Sequence, residues 1–139
     1  NSVVWSAGDQ IAVFQGTSNA DTYQIDGDLI VTGDLGKIGM DLLIDLFKIE
    51  DGIDISSNYF DCGVEIYNRK AQDVNSGGSG AGCSASVFSG YLMNEIKNRR
   101  WKKVIFGGTG ALLSPLSSQQ GESIPGICHV VCIDNQGEV

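Results

Sequence analysis

The feature that most constrains this chain is a change of hydrophobic period between residues 28 and 49. Asp28-Leu29-Ile30-Val31-Thr32-Gly33 is a short, nearly continuous apolar run bounded by aspartate and glycine, which reads as a buried strand. From Lys37 to Ile49 the apolar residues recur instead at spacings of three and four. Ile38, Leu42, Leu43, Leu46 and Phe47 share one stripe, with Asp41, Asp45 and Lys48 opposite, and this pattern predicts an amphipathic helix facing the core with that stripe.

The alternation continues along the chain. After a polar connection at Asp51–Ser57, the segment Phe60–Tyr67 offers Val64 and Ile66 as a second, weaker strand. The glycine-dense stretch Ser76–Ser86 leads into a helix with the apolar stripe Val87, Phe88, Tyr91, Leu92 and Ile96 and with Ser84 as candidate N-cap. Lys102–Phe106 reads as a third strand entering Gly107-Gly108-Thr109-Gly110; a polar loop through Ser114-Pro115 and Gln119–Glu122 follows, and Ile127–Ile133 closes the series. Strand, helix, strand, helix, strand, strand is the order of a layered α/β domain with a mixed sheet. Residues 27–139 form that unit. Residues 1–26 stand apart as an N-terminal segment in which Val3-Val4-Trp5 and Ile11-Ala12-Val13-Phe14 can pair as a hairpin across Ser6–Gln10.

Composition removes several function classes. The chain of 139 residues carries 17 acidic against 9 basic side chains, a net charge of −8, which argues against a grip on nucleic acid, because phosphate backbones require clustered Lys and Arg. Four of the nine bases gather at Arg99, Arg100, Lys102 and Lys103, a pattern that suits a solvated helix end, or else contact with an acidic partner or a lipid surface. No apolar stretch reaches the roughly 18 to 20 residues that span a bilayer, and the first residues lack a signal pattern. A soluble chain is expected. Cys62, Cys83, Cys128 and Cys132 form no CxxC pair and no zinc spacing with the single His129, so neither a metal site nor a cofactor is expected. The four read as reduced, small core residues, Cys128 and Cys132 on one sheet face but too far apart to bond.

The glycine stretch Ser76-Gly77-Gly78-Ser79-Gly80-Ala81-Gly82 before a helix is the arrangement that can cradle an anion with free amides. It does not fit the phosphate-binding P-loop, since no Lys-Ser or Lys-Thr pair follows its last glycine. Nor does it fit the dinucleotide fingerprint, which needs an acid about 20 residues on at a strand end. Close packing of a helix start on a strand explains it equally well.

Taken in order, Asp28-Leu29-Ile30-Val31-Thr32-Gly33-Asp34-Leu35-Gly36, Asp61-Cys62-Gly63 with Ile66-Tyr67, Gly77-Gly78-Ser79-Gly80 with Cys83-Ser84-Ala85, Thr109-Gly110-Ala111-Leu112-Leu113-Ser114-Pro115, and Gln119-Gln120 running to Ile124-Pro125 and His129 resemble the stage V sporulation protein AD family over about residues 27–134. Residues 1–26 carry none of these motifs. The resemblance implies a thiolase-like fold of two similar α/β halves, of which this chain resembles the C-terminal one. It further implies a protein of the forming spore, peripheral to the inner spore membrane, that binds dipicolinic acid or its calcium chelate and works with the SpoVA membrane proteins in loading it.

Thiolase-like relatives include condensing enzymes, so a degenerate enzyme acting on acyl thioesters competes with the binding reading, as does a scaffold for membrane partners. In ketoacyl-synthase relatives this half supplies a His after the first strand and an Asn in the glycine loop, which stabilise developing negative charge. Those positions fall at Gly33 and near Ala81, and neither residue carries a hydrogen-bonding side chain; the nucleophilic cysteine would lie in the other half. No catalytic residue is therefore expected. The candidate ligand-binding residues are His129, Cys83 and Asp34. His129 matches a pocket histidine of the family, although a core histidine would also suit its apolar run, and an imidazole can donate to a dicarboxylate. Cys83 sits at a helix start, where a thiol is either activated or simply packed. Asp34 either edges a site at the carboxyl end of the first strand or caps the following helix. A half of this kind is also expected to expose apolar surface, and so to form a homo-oligomer or to pair with an N-terminal half.

Overall fold

A computed structural model of the chain describes residues 2–5, 11–14, 27–111, 114–123 and 126–135. Its centre is β3 (Leu29–Thr32), buried at all four positions. On one side β3 pairs in parallel with β4 (Tyr59–Asp61), and on the other with β5 (Lys103–Ala111). The last strand, β6 (Gly126–Asp134), runs antiparallel to β5. The order β4-β3-β5-β6 makes the mixed sheet that the sequence predicts. Asp28 ties the two central strands at their entry, its Oδ2 accepting from the Lys102 and Lys103 amides at 2.6 and 3.0 Å. The predicted hairpin is present as β1 (Ser2–Trp5) paired antiparallel with β2 (Ile11–Phe14); its connection at Ser6–Gln10 lies outside the described residues.

Helices cover both sheet faces, which makes the domain layered. The period of two in β3 sends Leu29 and Val31 one way and Ile30 the other. Leu29 and Val31 join Val104, Cys62, Cys83, Val87, Leu92 and Ile96. Ile30 joins Ile55 and Tyr59 under α1 (Gly36–Glu50), which contributes Met40, Leu43, Ile44 and Phe47. This α/β layering accords with the thiolase-like arrangement.

The helix α1 is rotated relative to the expected stripe. Leu43 and Phe47 do face the sheet, but Ile38, Leu42, Leu46 and Ile49 are 69, 63, 48 and 80% exposed. The helix is apolar on two faces, and the sheet takes the one completed by Met40 and Ile44. Among the described residues, the outward stripe is uncovered.

Several boundaries also differ from expectation. The second strand ends at Asp61, because the Asp61 side chain accepts from the Val64 amide and starts the short helix α2 (Cys62–Glu65), so Val64 is helical and Ile66 caps it. Ser84 does not cap its helix. The cap position is Gly82, and Ser84 lies inside α3 (Cys83–Val87). A π-helical segment, Phe88–Leu92, joins α3 to α4 (Met93–Lys97), widening the turn between them. The third strand runs past Phe106: Gly107-Gly108-Thr109-Gly110 continue β5 opposite Val130 to Ile127. The polar loop contains a short helix, α5 (Pro115–Gln119). Of the cysteines, Cys62 and Cys83 are core residues as expected, but Cys128 is exposed and Cys132 half-buried; all four are free thiols. No helix among the described residues is long and apolar enough to cross a membrane.

Candidate functional site

At the carboxyl end of β3 the chain must turn into α1, and two aspartates organise the turn. Asp61 is fully buried. Its Oδ2 accepts from Thr32 Oγ1 at 2.6 Å and the Leu35 amide at 3.0 Å, its Oδ1 from the Gly36 amide at 2.9 Å and the Val64 amide at 3.2 Å. One carboxylate thus caps the starts of both α1 and α2, where free amides and the positive helix ends favour an anion. The Thr32 proton goes to Asp61, so the buried Tyr59 hydroxyl, 2.7 Å away, donates to Thr32. Burial pushes the Tyr59 phenol up, well beyond the ordinary phenol range.

Asp34 does something else. Its side chain caps nothing in α1, whose cap residue, Leu35, makes no side-chain bond; Asp34 instead reaches across to the glycine loop. Its Oδ2 accepts from Ser79 Oγ and from the Gly80 amide, both at 2.9 Å, and its own amide donates to Thr109 Oγ1 at 3.3 Å. The loop is held close from below as well, by the Gly78 amide on the Gly63 carbonyl at 2.6 Å and the Lys37 amide on the Ser76 carbonyl at 2.7 Å. At Gly77, where φ is +113°, a side chain would overlap the Gly63 carbonyl. Glycine is needed there for both the conformation and the approach.

Between these parts opens a cleft of about 820 Å³, lined by Asp34, Ser79, Ser84, Thr109 and Cys128 and by backbone of the glycine loop and of the β5 and β6 ends. It is large enough for a small organic ligand. Asp34 is its charged group.

Of the three sequence candidates, only Asp34 lines the cleft. Cys83 is buried in the core beneath the loop, and its thiol is pushed up, first by burial and then by the Asp34 and Asp61 carboxylates. It is held as the protonated thiol, the reverse of an activated nucleophile. His129 pairs with Gly108 on β6 and is exposed. The strand period sends it to the face opposite its neighbour Cys128, away from the cleft lining. Sequence reasoning gave no role to Asp61, Ser79 or Thr109. For Asp61 the signal was available, since an aspartate three residues before a helix-competent position is a capping pattern. Thr109 was hidden by the glycines around it, which carry no strand signal of their own.

Of the two positions that the resemblance matches to a condensing enzyme's donors, one lines this cleft and the other lies behind Thr109. Ala81 lines the cleft. Gly33 is buried, and a Cβ built on it would stand 2.6 Å from Thr109 Oγ1, so the threonine fills the space that a larger side chain would need. Among the described residues, no group of three or more His, Cys, Asp or Glu side chains is placed to hold a metal ion.

Comparison with known proteins agrees with this architecture. The family model of stage V sporulation protein AD matches residues 6–134, beginning well ahead of residue 27, where the motifs become legible. The stage V sporulation protein AD of Bacillus subtilis (strain 168) is 41% identical over 112 residues, which cover 81% of this chain and 32% of that protein. The chain therefore spans about a third of the length of that relative. With most of its residues inside the family match, the chain belongs to the stage V sporulation protein AD family.

Proposed function

We propose that this chain serves sporulation as a non-catalytic binding unit for dipicolinic acid or its calcium chelate, with the Asp34–Thr109 cleft as its contact with the ligand. The observation that carries the reading is the fit of Thr109 against Gly33. The place where a condensing enzyme relative keeps its histidine is occupied by a threonine hydroxyl, and Ala81 takes the place of the asparagine. Without those donors, an oxyanion at that point would lose the stabilisation that acyl transfer needs. The hydroxyls of Ser84 and Thr109 and the loop backbone remain for recognising a small polar ligand. Uptake into the forming spore, a station at the inner spore membrane and action with the SpoVA membrane proteins are part of the same proposal, on the strength of the family. Equilibrium titration with dipicolinate, with and without calcium, tests it: saturable binding without turnover of an acyl thioester supports the reading, and thioester turnover by the chain would reverse it.

The outward apolar stripe of α1 favours a second, compatible role as a docking module. Its occupant is either another copy of the chain or the other half of a longer thiolase-like protein. Sedimentation of the chain alone distinguishes association from a stable monomer.

A further inference from the structure

We infer that the outer edge of β6 is a docking edge for a second copy of this chain, whose own β6 pairs with it antiparallel about a two-fold axis at Val130; the inference is independent of the ligand reading above. The four-stranded sheet ends in two unlike edges. At one, β4 offers three residues, of which Tyr59 and Asp61 are buried, and so short an edge gives an incoming strand little to pair with. At the other, β6 offers nine residues, Gly126–Asp134. Among the described residues no strand pairs with its outer side; the hairpin β1–β2 approaches β6 but forms a sheet of its own.

The edge presents its backbone groups in a fixed alternation. The Asn135 amide donates to the Lys102 carbonyl at 2.7 Å, which places the odd-numbered residues of β6 in the hydrogen-bonded pairs with β5. The even-numbered ones, Cys128 and Val130 among them, therefore direct amide and carbonyl outward. Natural edges are blunted by proline, lysine, an inward charge or a bulge. β6 has none of these: it pairs residue for residue with β5 from Gly126 to Asp134, and from Gly126 to Ile133 it carries no acid, lysine, arginine or proline. It also leaves Ile127 and Val131 58 and 50% exposed, more than a strand closed on both sides would.

A second copy of the strand fits what is exposed. With the axis at Val130 the two strands overlap over their whole length, and each pair joins side chains on one face of the joined sheet. Ile127 stands opposite Ile133 of the second copy and His129 opposite its Val131, in the closer, non-hydrogen-bonded pairs where side chains interact best. Asp134 meets Gly126, so no like charges are opposed. On a chain of net charge −8 this decides between surfaces, because self-repulsion works against contacts between copies. The outward stripe of α1 runs beside Asp41 and Asp45, whereas the β6 edge approaches its copy without an acid until Asp134.

Sedimentation equilibrium of the chain over a range of concentrations tests the inference, and a monomer–dimer equilibrium is expected. Residue 130 meets itself at the axis. Val130→Lys therefore opposes two ammonium groups and Val130→Glu two carboxylates; each variant alone should dimerise about tenfold or more weakly than the parent chain, while a mixture of the two should recover a heterodimer. Val130→Pro removes an outward amide without costing a bond to β5, and should give a folded monomer by circular dichroism; the Lys and Glu variants decide the matter should the proline unfold the chain. A monomer at every concentration, a dimer that the folded Lys and Glu variants leave unchanged, or a mixture of those variants without preference for the heterodimer would each overturn the inference. So would a dimer that is lost in Ile38→Lys with Ile49→Lys and kept in the Val130 variants, since that outcome assigns association to α1.

Discussion

Replacing Asp61 by asparagine changes one atom in a fully buried group and should destabilise the whole domain. The carboxylate accepts four hydrogen bonds, two on each oxygen. In Asp61→Asn one oxygen becomes an NH2, so at least one backbone amide faces another donor whichever way the side chain is turned. If Oδ1 is replaced, the Gly36 and Val64 amides are orphaned; if Oδ2 is, Thr32 can rotate to accept, but the Leu35 amide cannot. Each hydrogen bond to a charged acceptor contributes about 1.5–3 kcal/mol; the turn that orphans only the Leu35 amide loses one of these outright and reduces the two on the surviving oxygen to the strength of neutral bonds, a gross loss of about 3–5 kcal/mol. Removing a buried charge without a cation partner offsets part of this, which leaves a net loss of about 3 kcal/mol, a large share of a typical stability of about 5–15 kcal/mol. Urea unfolding followed by circular dichroism should show the midpoint falling by about 1–2 M. Thr32→Val, which removes one of the four bonds and the acceptor for Tyr59, should lose about 2 kcal/mol or more. A midpoint for Asp61→Asn within about 0.3 M of the parent chain would refute the assignment of Asp61 as the shared cap of α1 and α2.

Other outcomes follow from the same geometry. Glycine replacements in the loop should rank by crowding: Gly77→Ala meets the Gly63 carbonyl at positive φ, Gly80→Ala has positive φ but open space, and Gly82→Ala has neither obstacle. Thermal melts should therefore show a large loss, a loss of about 1–2 kcal/mol, and almost none. Thiol labelling at pH 8 should modify exposed Cys128 first and Cys83 slowly. Cys62, pushed up to about 12 chiefly by burial, should react only as the protein unfolds. On α1, Ile38→Lys with Ile49→Lys should reduce binding of a hydrophobic dye while moving stability by less than about 1 kcal/mol. Phe47→Ala, on the sheet-facing side, should lose about 2 kcal/mol or more.

The elements that could be read from sequence were those whose period is set by local burial. β3 is a nearly continuous apolar run because helices cover both of its faces; β6 was legible from its apolar run although most of that strand is exposed. The face of α1 was misread for a physical reason. A helix that is apolar on two sides has no single stripe, and only the position of Met40 and Ile44 over Ile30 and Tyr59 decides which side the sheet takes. The extension of β5 through Gly107–Gly110 was not legible because glycine has no strand preference of its own; pairing with Ile127–Val130 makes it a strand. The cleft was harder still. Asp34 was legible as a strand-end acid, but its partner loop lies 45 residues away along the chain. His129 and Cys83 were chosen by residue type, whereas strand alternation and core packing decide where they point. Asp61 stood inside a recognisable motif, yet its role depends on amides from two helices that meet only in the folded chain.

The claim on which the rest depends is that the Asp34–Thr109 cleft is where the ligand binds. Amide chemical shifts of the 15N-labelled chain, followed through a titration with calcium dipicolinate, test it directly. The account predicts saturable shifts at Asp34, Ser79, Gly80, Ala81, Thr109 and Gly110, with the His129 imidazole unaffected. Saturable shifts centred on His129 and its face of β6, with the glycine loop and Thr109 silent, would contradict it.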